Sequence, residues 1–511
     1  MRIKVPWATR WFPKTTRPAR SSSHEDRAAV DVHEDWVPPR TSLGQPWPVR
    51  GRPMTMNHPV FLVCAWACAL LVGGCASYQP LPLPERAQLM NGVGELHHSL
   101  PATATHEVSK AIDVQQPLDP RQVGLLAILN APELRTERGE FAVAQAGVVQ
   151  SGLIPNPSMS LGYAALLGGP GIAGAWTASL AQDVASLVTY KSRVAAAKTH
   201  VEQVNADLLW KEWQVAQKAR LLAVGIYWTD QSLRFSRTQL SLLTRTAAEV
   251  RRAVEQNNAT LPDLTPLLAS RAALAQSVAT LELQQLKNWA DLNALLSLVP
   301  SARFAFAAPE VGRVPDDVDA LAASVSTRRP DLVALQLGYR AADESVRSAI
   351  LGQFPALVLG GTWGMDTSKV RIAGPTVTFD VPIFKRNQDQ IALSRATRLL
   401  LREQYQVRLD ATESTIRALR TRMAAVATQL VGAQQDAATA EAQAATARVA
   451  FAAGNLDARA LTDYASTVLA RRLTVIDLER AAGEAQVGLE LELGLGLPQT
   501  RLAPLDNAHE S

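Results

Sequence analysis

Few residues in this chain have the types and spacing that could do chemistry. The 511-residue sequence contains three cysteines, Cys64, Cys68 and Cys75. It shows no serine–histidine–aspartate set, no glycine-rich phosphate loop and no paired carboxylates. Five histidines are scattered without acidic or thiol partners at ligand spacing: His97, His98, His106, His200 and His509. We therefore expect no enzyme activity, no metal site and no small-molecule cofactor.

Cys75 is the cysteine for which the sequence predicts a modification. The uncharged stretch from Val60 to Val72 has the length of a signal-peptide core and is shorter than the roughly 20 residues of a membrane-spanning helix. Val72-Gly-Gly-Cys75 resembles the bacterial lipobox, whose cysteine receives a lipid and becomes the mature N-terminus. The resemblance implies a palmitate-bearing lipid anchor on Cys75. Cys64 and Cys68 would be removed with the signal peptide.

The net charge of +4 comes from the start of the chain. Residues 1–53 hold ten basic and five acidic side chains, which leaves 41 basic and 42 acidic groups in the rest. Because basic and acidic side chains alternate along the helices, we expect no nucleic-acid partner. We interpret residues 1–53 as a leader outside the working protein, 54–74 as a lipoprotein signal peptide and 75–116 as an extended, lipidated segment. Translation could begin at Met1, Met54 or Met56.

The remainder of the chain is predicted to be a tandem duplication. Asn130-Ala-Pro-Glu-Leu-Arg135 aligns with Arg328-Arg-Pro-Asp-Leu-Val333 at an offset of 198, and Asn258 aligns with Asn455 at an offset of 197. Matches that persist with one slip over about 150 residues indicate two copies of one structural plan. The predicted repeats cover residues 117–308 and 309–498, followed by a tail over 499–511.

Each repeat is predicted to contain a helix, two strands and two long helices. The first strand alternates large and small residues from Met159 to Leu167, and the return strand of the second repeat lies around 370–381. Such segments of about 9–11 residues fit strands that cross a membrane, and they fit a soluble hairpin equally well.

Apolar residues recur every seven positions in the predicted long helices. In the second repeat they are Leu409, Ile416, Met423, Leu430, Ala437, Ala444 and Phe451, and in the first Ala219, Ile226, Leu233, Leu240, Ala247 and Val254. Heptads of this length predict coiled-coil packing. A continuous helix from Thr189 to Asn257 would span about 100 Å at a rise of 1.5 Å per residue.

This combination resembles the TolC family of outer-membrane efflux channels. The resemblance rests on four motifs, Arg329-Pro-Asp-Leu332, Phe354-Pro355, Val381-Pro-Ile-Phe384 and Gly454-Asn-Leu-Asp457. It implies a mainly α fold with a membrane β-barrel. In the family a homotrimer forms a 12-stranded β-barrel that is continued by a 12-helix coiled-coil α-barrel in the periplasm.

The resemblance also implies a function. Such channels sit in the outer membrane and passively conduct substrates that a periplasmic adaptor and an inner-membrane pump deliver. The helix–turn–helix tips, here 257–263 and 454–463, form the entrance and contact the adaptor. The residues implied at these tips are Asn258, Asp263, Gly454, Asn455 and Asp463.

Two features of the tips leave alternatives open. The family commonly has two acidic residues three apart in the second tip, whereas this chain has Ala460 and Asp463. Asp463 is equally interpretable as a solvated helix residue, and Gly454 and Asn455 as turn geometry.

A periplasmic coiled-coil adaptor or structural lipoprotein is the alternative function. Adaptors have long helical hairpins, but they lack two strand pairs at matching positions of a repeat. The sequence does not indicate whether drugs, metal ions or other compounds are exported.

Overall fold

The computed structural model describes residues 78–98, 112–310, 315, 317–355, 357–497 and 499–502. Cys75, the predicted signal peptide and the predicted leader lie outside these ranges. The chain divides into two units, residues 1–83 and 84–511, and every element named below belongs to the second.

The described residues of the first half form five α-helices and two strands. They are α1 (Pro120–Asn130), α2 (Pro132–Ser151), β1 (Ser158–Ala164), β2 (Ala175–Asp183), α3 (Ala185–Val188), α4 (Tyr190–Glu255) and α5 (Leu261–Leu295). A short 3-10 turn over Val93–Glu95 precedes them. Helix α1 begins with a capping box, because the Asp119 carboxylate accepts from the Gln122 amide at 3.2 Å and the Gln122 side chain accepts from the Asp119 amide at 3.0 Å.

The second half repeats this order, except that two short helices take the place of α1 and that α3 has no counterpart among the described residues. Its elements are α6 (Val318–Ala323), α7 (Val325–Arg328), α8 (Pro330–Leu351), β3 (Leu357–Met365), β4 (Arg371–Phe379), α9 (Gln388–Ala452) and α10 (Ala458–Leu493). Helices α2 and α8 both have proline at their first position, where the missing amide costs no hydrogen bond. Helices α5 and α10 begin 197 residues apart, the offset found in the sequence.

The predicted long helices and their heptads are confirmed. Helix α4 has 66 residues and α9 has 65, so each is about 100 Å long at 1.5 Å per residue. The heptad positions that are buried include Ala219, Ile226 and Leu233 on α4 and Ile416, Met423 and Ala437 on α9. Among the described residues, no helix combines the length and apolar character needed to cross a membrane.

The buried apolar residues form several clusters along the helices. The largest joins α1, α4 and α5 through Leu126, Ile226 and Leu292. A second cluster joins α8, α9 and α10 through Leu332, Ile416 and Leu489. The second cluster also contains Val318 of α6 and Val325 of α7, the counterparts of α1, so the two repeats are packed in corresponding ways; helix α8 packs in addition against α4 of the first repeat.

The strands are shorter than the alternating sequence patterns. Strand β1 ends at Ala164 rather than Leu167, and β4 covers Arg371–Phe379 within the predicted 370–381. Leu167 is 98% exposed, beside the Gly168–Gly171 turn. The alternation continues beyond the last paired residue because it does not depend on having a partner strand.

Candidate functional site

The four strands form one antiparallel sheet in the order β1-β2-β3-β4. The central pairing joins the two repeats, with Leu180 of β2 opposite Gly361 of β3. Strands β1 and β4 are the edges, and each has one side without a partner strand among the residues that the structure describes. Unpaired edges present rows of free amide and carbonyl groups, which favour pairing with another chain.

The two faces of the sheet differ in character. Residues that are paired across strands point to the same side. One face has large apolar side chains: Met159, Leu161, Tyr163, Trp176, Leu180, Leu359, Trp363, Val377 and Phe379. The other face has mostly small or hydroxyl side chains, with Val358 and Ile372 as exceptions: Ser160, Gly162, Thr177, Ser179, Gly360, Thr362, Gly364, Thr376 and Thr378.

Hydroxyl pairs and exposure support this division. The Ser160 and Ser179 hydroxyls lie 2.7 Å apart, and the Thr362 and Thr376 hydroxyls 2.9 Å apart. On the opposite face Leu161 is 73% exposed, although it is large and apolar. An exposed apolar face of this kind marks an interaction with a membrane or another protein. The sheet can therefore separate an apolar environment from an aqueous one.

The carboxyl-terminal ends of α4 and α9, which lie away from the sheet, each lead into a turn, and the two turns have the same hydrogen-bond pattern. Asn257 (φ 61°) and Gly454 (φ 75°) have left-handed backbones, which asparagine and glycine tolerate best. The Asn258 amide donates to the Ala253 carbonyl at 2.7 Å, and the Asn455 amide to the Ala450 carbonyl at 2.9 Å. These are the six-to-one hydrogen bonds of the Schellman motif, which ends a helix.

The helices that leave the two turns are capped differently. The Asp263 carboxylate accepts from the Thr260 amide at 2.9 Å and from the Thr260 hydroxyl at 2.6 Å. These hydrogen bonds hold the pKa of Asp263 below its usual range. Helix α10 is capped by Asp457, which accepts from the Ala460 amide at 2.6 Å. Asp263 and Ala460 are equivalent by sequence, but in the second turn the capping carboxylate lies at 457.

The structure brings the two turns together. A buried cluster joins Leu264 and Leu267 of α5 to Ala458 of α10, with Phe451 of α9 packed against it. Asn258, Asp263, Gly454 and Asn455 all lie in these turns or the first turn of the next helix. Asp463 is exposed on α10, and none of the ion pairs among the described residues includes it.

The sequence analysis did not predict the role of Arg329 in the Arg-Pro-Asp-Leu motif. Its Nε donates to Asp331 at 3.0 Å and its Nη2 to the same carboxylate at 2.7 Å, while its Nη1 pairs with Glu492. The guanidinium carbon lies 4.4 Å from the centre of the Trp210 ring, as in a cation–π contact. The start of α8 is thereby tied to the end of α10 and to α4.

Charges balance within this group, which we call the Arg329 cluster (Trp210, Arg329, Asp331, Arg408 and Glu492); Arg329 and Asp331 are buried, whereas Arg408 lies at the surface. The Arg408 Nε donates to Asp331 at 2.6 Å. Burial alone would raise the pKa of Asp331, but hydrogen bonds and charges from Arg329 and Arg408 hold it below its usual range. A buried charge of either sign is therefore matched by a partner.

No metal centre is formed by the described residues. None of their histidine, cysteine, aspartate and glutamate side chains gather in groups of three or more that could hold an ion. His97 instead lies against Asn130, whose side-chain oxygen accepts from the His97 amide at 2.9 Å.

Comparison with known proteins connects this geometry to one group. Residues 321–495 match the family model of the outer membrane efflux protein. No curated protein matches the sequence. Several solved structures share the fold at low sequence identity, all of them above a TM-score of 0.5.

Three of these structures show the extent of the likeness. CusC matches with a TM-score of 0.62 and 14% identity over 74% of this chain and 92% of that chain. The CmeC outer membrane channel of Campylobacter jejuni matches with a TM-score of 0.62 and 13% identity over 84% of this chain and 96% of that chain. The MtrE outer membrane channel of Neisseria gonorrhoeae, in its open state, matches with a TM-score of 0.61 and 13% identity over 83% of this chain and 100% of that chain.

Proposed function

We propose that this chain, which contains an outer membrane efflux protein domain at residues 321–495 and has the fold of outer membrane efflux channels, forms the outer-membrane channel of a tripartite efflux system. It conducts substrates passively from a periplasmic adaptor and an inner-membrane pump to the exterior. The channel itself catalyses no reaction.

The observation that carries the proposal is the sheet with two different faces and two unpaired edges. Pairing β4 of one chain with β1 of the next closes such sheets into a barrel without a free edge, as lipid requires. Two chains would give eight strands, whose interior is filled by side chains, so three is the smallest number that leaves an open lumen. The proposed assembly is a homotrimer with a 12-stranded β-barrel.

The helices continue the proposed lumen. Each chain contributes α4, α5, α9 and α10, so the trimer has a 12-helix α-barrel. Because α4 follows the sheet after a helix of four residues, the sheet and the two turns lie at opposite ends of a rod of about 100 Å. This length suits a channel that crosses an aqueous compartment next to its membrane.

The turns are the proposed entrance and adaptor contact, through Asn258, Asp263, Gly454, Asn455 and Asp463. Threefold repetition would place three Asp463 carboxylates around one axis and attract cations. Replacing Asp463 with Asn should lower the preference of the channel for cations over anions, measured as a shift in reversal potential across a salt gradient. Asp436→Asn, on the exposed surface of α9, is the control. Equal effects of the two variants would make Asp463 a solvated surface residue.

Conductance tests the main proposal. The full-length protein, purified in detergent, should have the mass of a trimer and produce discrete conductance steps in a planar lipid bilayer. A stable monomer without conductance contradicts the proposal and favours a periplasmic adaptor or structural lipoprotein.

The proposed lipid anchor on Cys75 is tested separately. Wild-type protein should incorporate labelled palmitate in cells, and Cys75→Ser should not. Cys64→Ser, in the proposed signal peptide, is the matched control and should keep the label. Labelling of Cys75→Ser at the wild-type level would show that the lipobox assignment is wrong.

A further inference from the structure

A cavity of about 110 Å³ lies where the two long helical hairpins meet, at the end of the molecule that carries the two turns. Its walls come from α4, α5, α9 and α10. Leu242 of α4 lies 13 residues before the end of that helix, which is about 20 Å at 1.5 Å per residue. The cavity extends from there toward the second turn, since Leu461 and Thr462 near the start of α10 also line it, beside Asp463.

The cavity exists because short side chains interrupt a leucine-rich seam. Leu242, Leu274 and Leu469 line it from three different helices. Ser270 of α5 and Ala465 of α10 also line it, and their side chains are too short to fill the space between the leucines. A void of this kind loses dispersion contacts, and an apolar occupant can restore them.

Arg448 gives the cavity a charge. It is the one charged residue among the described residues that line the cavity, and none of the ion pairs formed by the described residues includes it. The hydroxyls of Thr462 and Ser466 donate to carbonyls of their own helix at 2.7 and 2.9 Å. The guanidinium is therefore the strongest donor available to an occupant, and it prefers a planar carboxylate.

We propose that this cavity binds a small amphiphilic monoanion, with one ring or a short branched chain among the leucines and a carboxylate beside Arg448. The cavity is smaller than the apolar cavity of about 150 Å³ that accommodates benzene, so an apolar ring would fill it and the carboxylate would lie at its mouth, beside the exposed Arg448. Water is a poorer occupant, since apolar walls offer it few hydrogen-bond partners. Ligand contacts with helices from both hairpins would stabilise the arrangement seen here by mass action.

The probe is 4-fluorobenzoate, observed by fluorine NMR with the full-length protein in zwitterionic detergent. We expect saturable line broadening, and at least tenfold weaker binding of the neutral 4-fluorobenzyl alcohol. Arg448→Met should weaken 4-fluorobenzoate binding roughly tenfold, the size of effect expected for a charge-assisted hydrogen bond. Arg245→Met, an exposed arginine of α4 outside the cavity, should leave binding unchanged.

Filling the cavity tests its location. Ala465→Leu should abolish binding while the oligomeric state and the helical circular dichroism stay those of wild type. If Ala465→Leu misfolds, the comparison of Arg448→Met with Arg245→Met still decides.

Three results overturn the proposal: no saturable binding to wild type, equal broadening in all variants, or binding to dissociated monomer but not to the oligomer. The last would show that a second copy of the chain occupies the cavity. The binding assay measures no conduction, so its failure leaves the proposed channel function untouched.

Discussion

From the contacts of the Arg329 cluster we predict how strongly the Arg329 side chain holds the start of α8 against the end of α10. The Arg329 side chain is 2% exposed and that of Asp331 is 9% exposed. Arg329→Met keeps most of the apolar stem and removes the guanidinium that pairs with both Asp331 and Glu492. Asp331 keeps one partner, Arg408, and Glu492 is 20% exposed and can reach water.

The expected cost follows from these numbers. Removing one partner of a buried ion pair typically costs about 3–5 kcal/mol, because the other charge stays buried. The remaining partner of Asp331 and the exposure of Glu492 place this variant near the lower end, at about 3 kcal/mol. The loss should be local, since it concerns the contact between the start of α8 and the end of α10.

Hydrogen exchange measured by mass spectrometry is the appropriate assay, because it reports the loss at the contact itself and does not require the whole chain to unfold in one step. A loss of about 3 kcal/mol corresponds to roughly hundredfold faster exchange through local opening, in peptides from residues 330–336 and 487–493. Arg417→Met is the control, because Arg417 pairs with Glu413 on the exposed surface of α9, where such pairs contribute little. Equal exchange in the two variants would refute the argument that burial makes the Arg329 pairs strong.

Three further changes test other parts of the structure. Burial, Asp331 and Glu137 raise the pKa of Asp207 to about 6, so the folded protein holds this proton more tightly than the unfolded chain and loses stability as pH rises from about 4 to about 6. Asp207→Asn should therefore slow hydrogen exchange around residue 207 at pH 8, by an amount equivalent to on the order of 1 kcal/mol after solvent screening, and leave it unchanged at pH 3; equal slowing at both pH values would exclude titration as the cause. Gly454→Ala should destabilise the second turn by about 1 kcal/mol because the backbone there is left-handed, whereas Gly432→Ala should stabilise the interior of α9 by up to about 1 kcal/mol. Hydrogen exchange should therefore become faster around Gly454 in the first variant and slower around Gly432 in the second. A change in the same direction in both regions would contradict the backbone argument. Leu161→Arg, on the apolar face of the sheet, should prevent assembly in membranes, because placing an arginine in lipid costs about 2–4 kcal/mol. Ser160→Arg, on the other face, should assemble and conduct less. Normal membrane assembly of Leu161→Arg would show that this face does not contact lipid.

Long-range order in this fold is predictable from the sequence where one pattern repeats many times. The heptads of α9 fix both its helical state and its buried face, because each successive heptad places apolar residues on the same side of the helix. The limits of β1 are less predictable, since alternation continues to Leu167 while pairing stops at Ala164. Strand ends depend on the partner strand, which the local sequence does not encode.

The Arg329 cluster shows what single-sequence reasoning misses. Arg329 and Asp331 are two residues apart and form a visible motif, but their other partners are remote. Arg408 lies 77 residues from Asp331, and Glu492 lies 163 residues from Arg329. A motif of two opposite charges beside a proline, within an apolar stretch, is the available signal, and it does not reveal which helices the charges connect.

The caps of the two turns explain why their acidic residues differ in position. Each helix that leaves a turn needs an acceptor or a reciprocal partner for its first amides. The first repeat places the carboxylate at Asp263, paired back to Thr260, whereas the second places it directly at Asp457. Ala460 donates its backbone amide to Asp457, whereas Asp463 is exposed and takes part in neither cap.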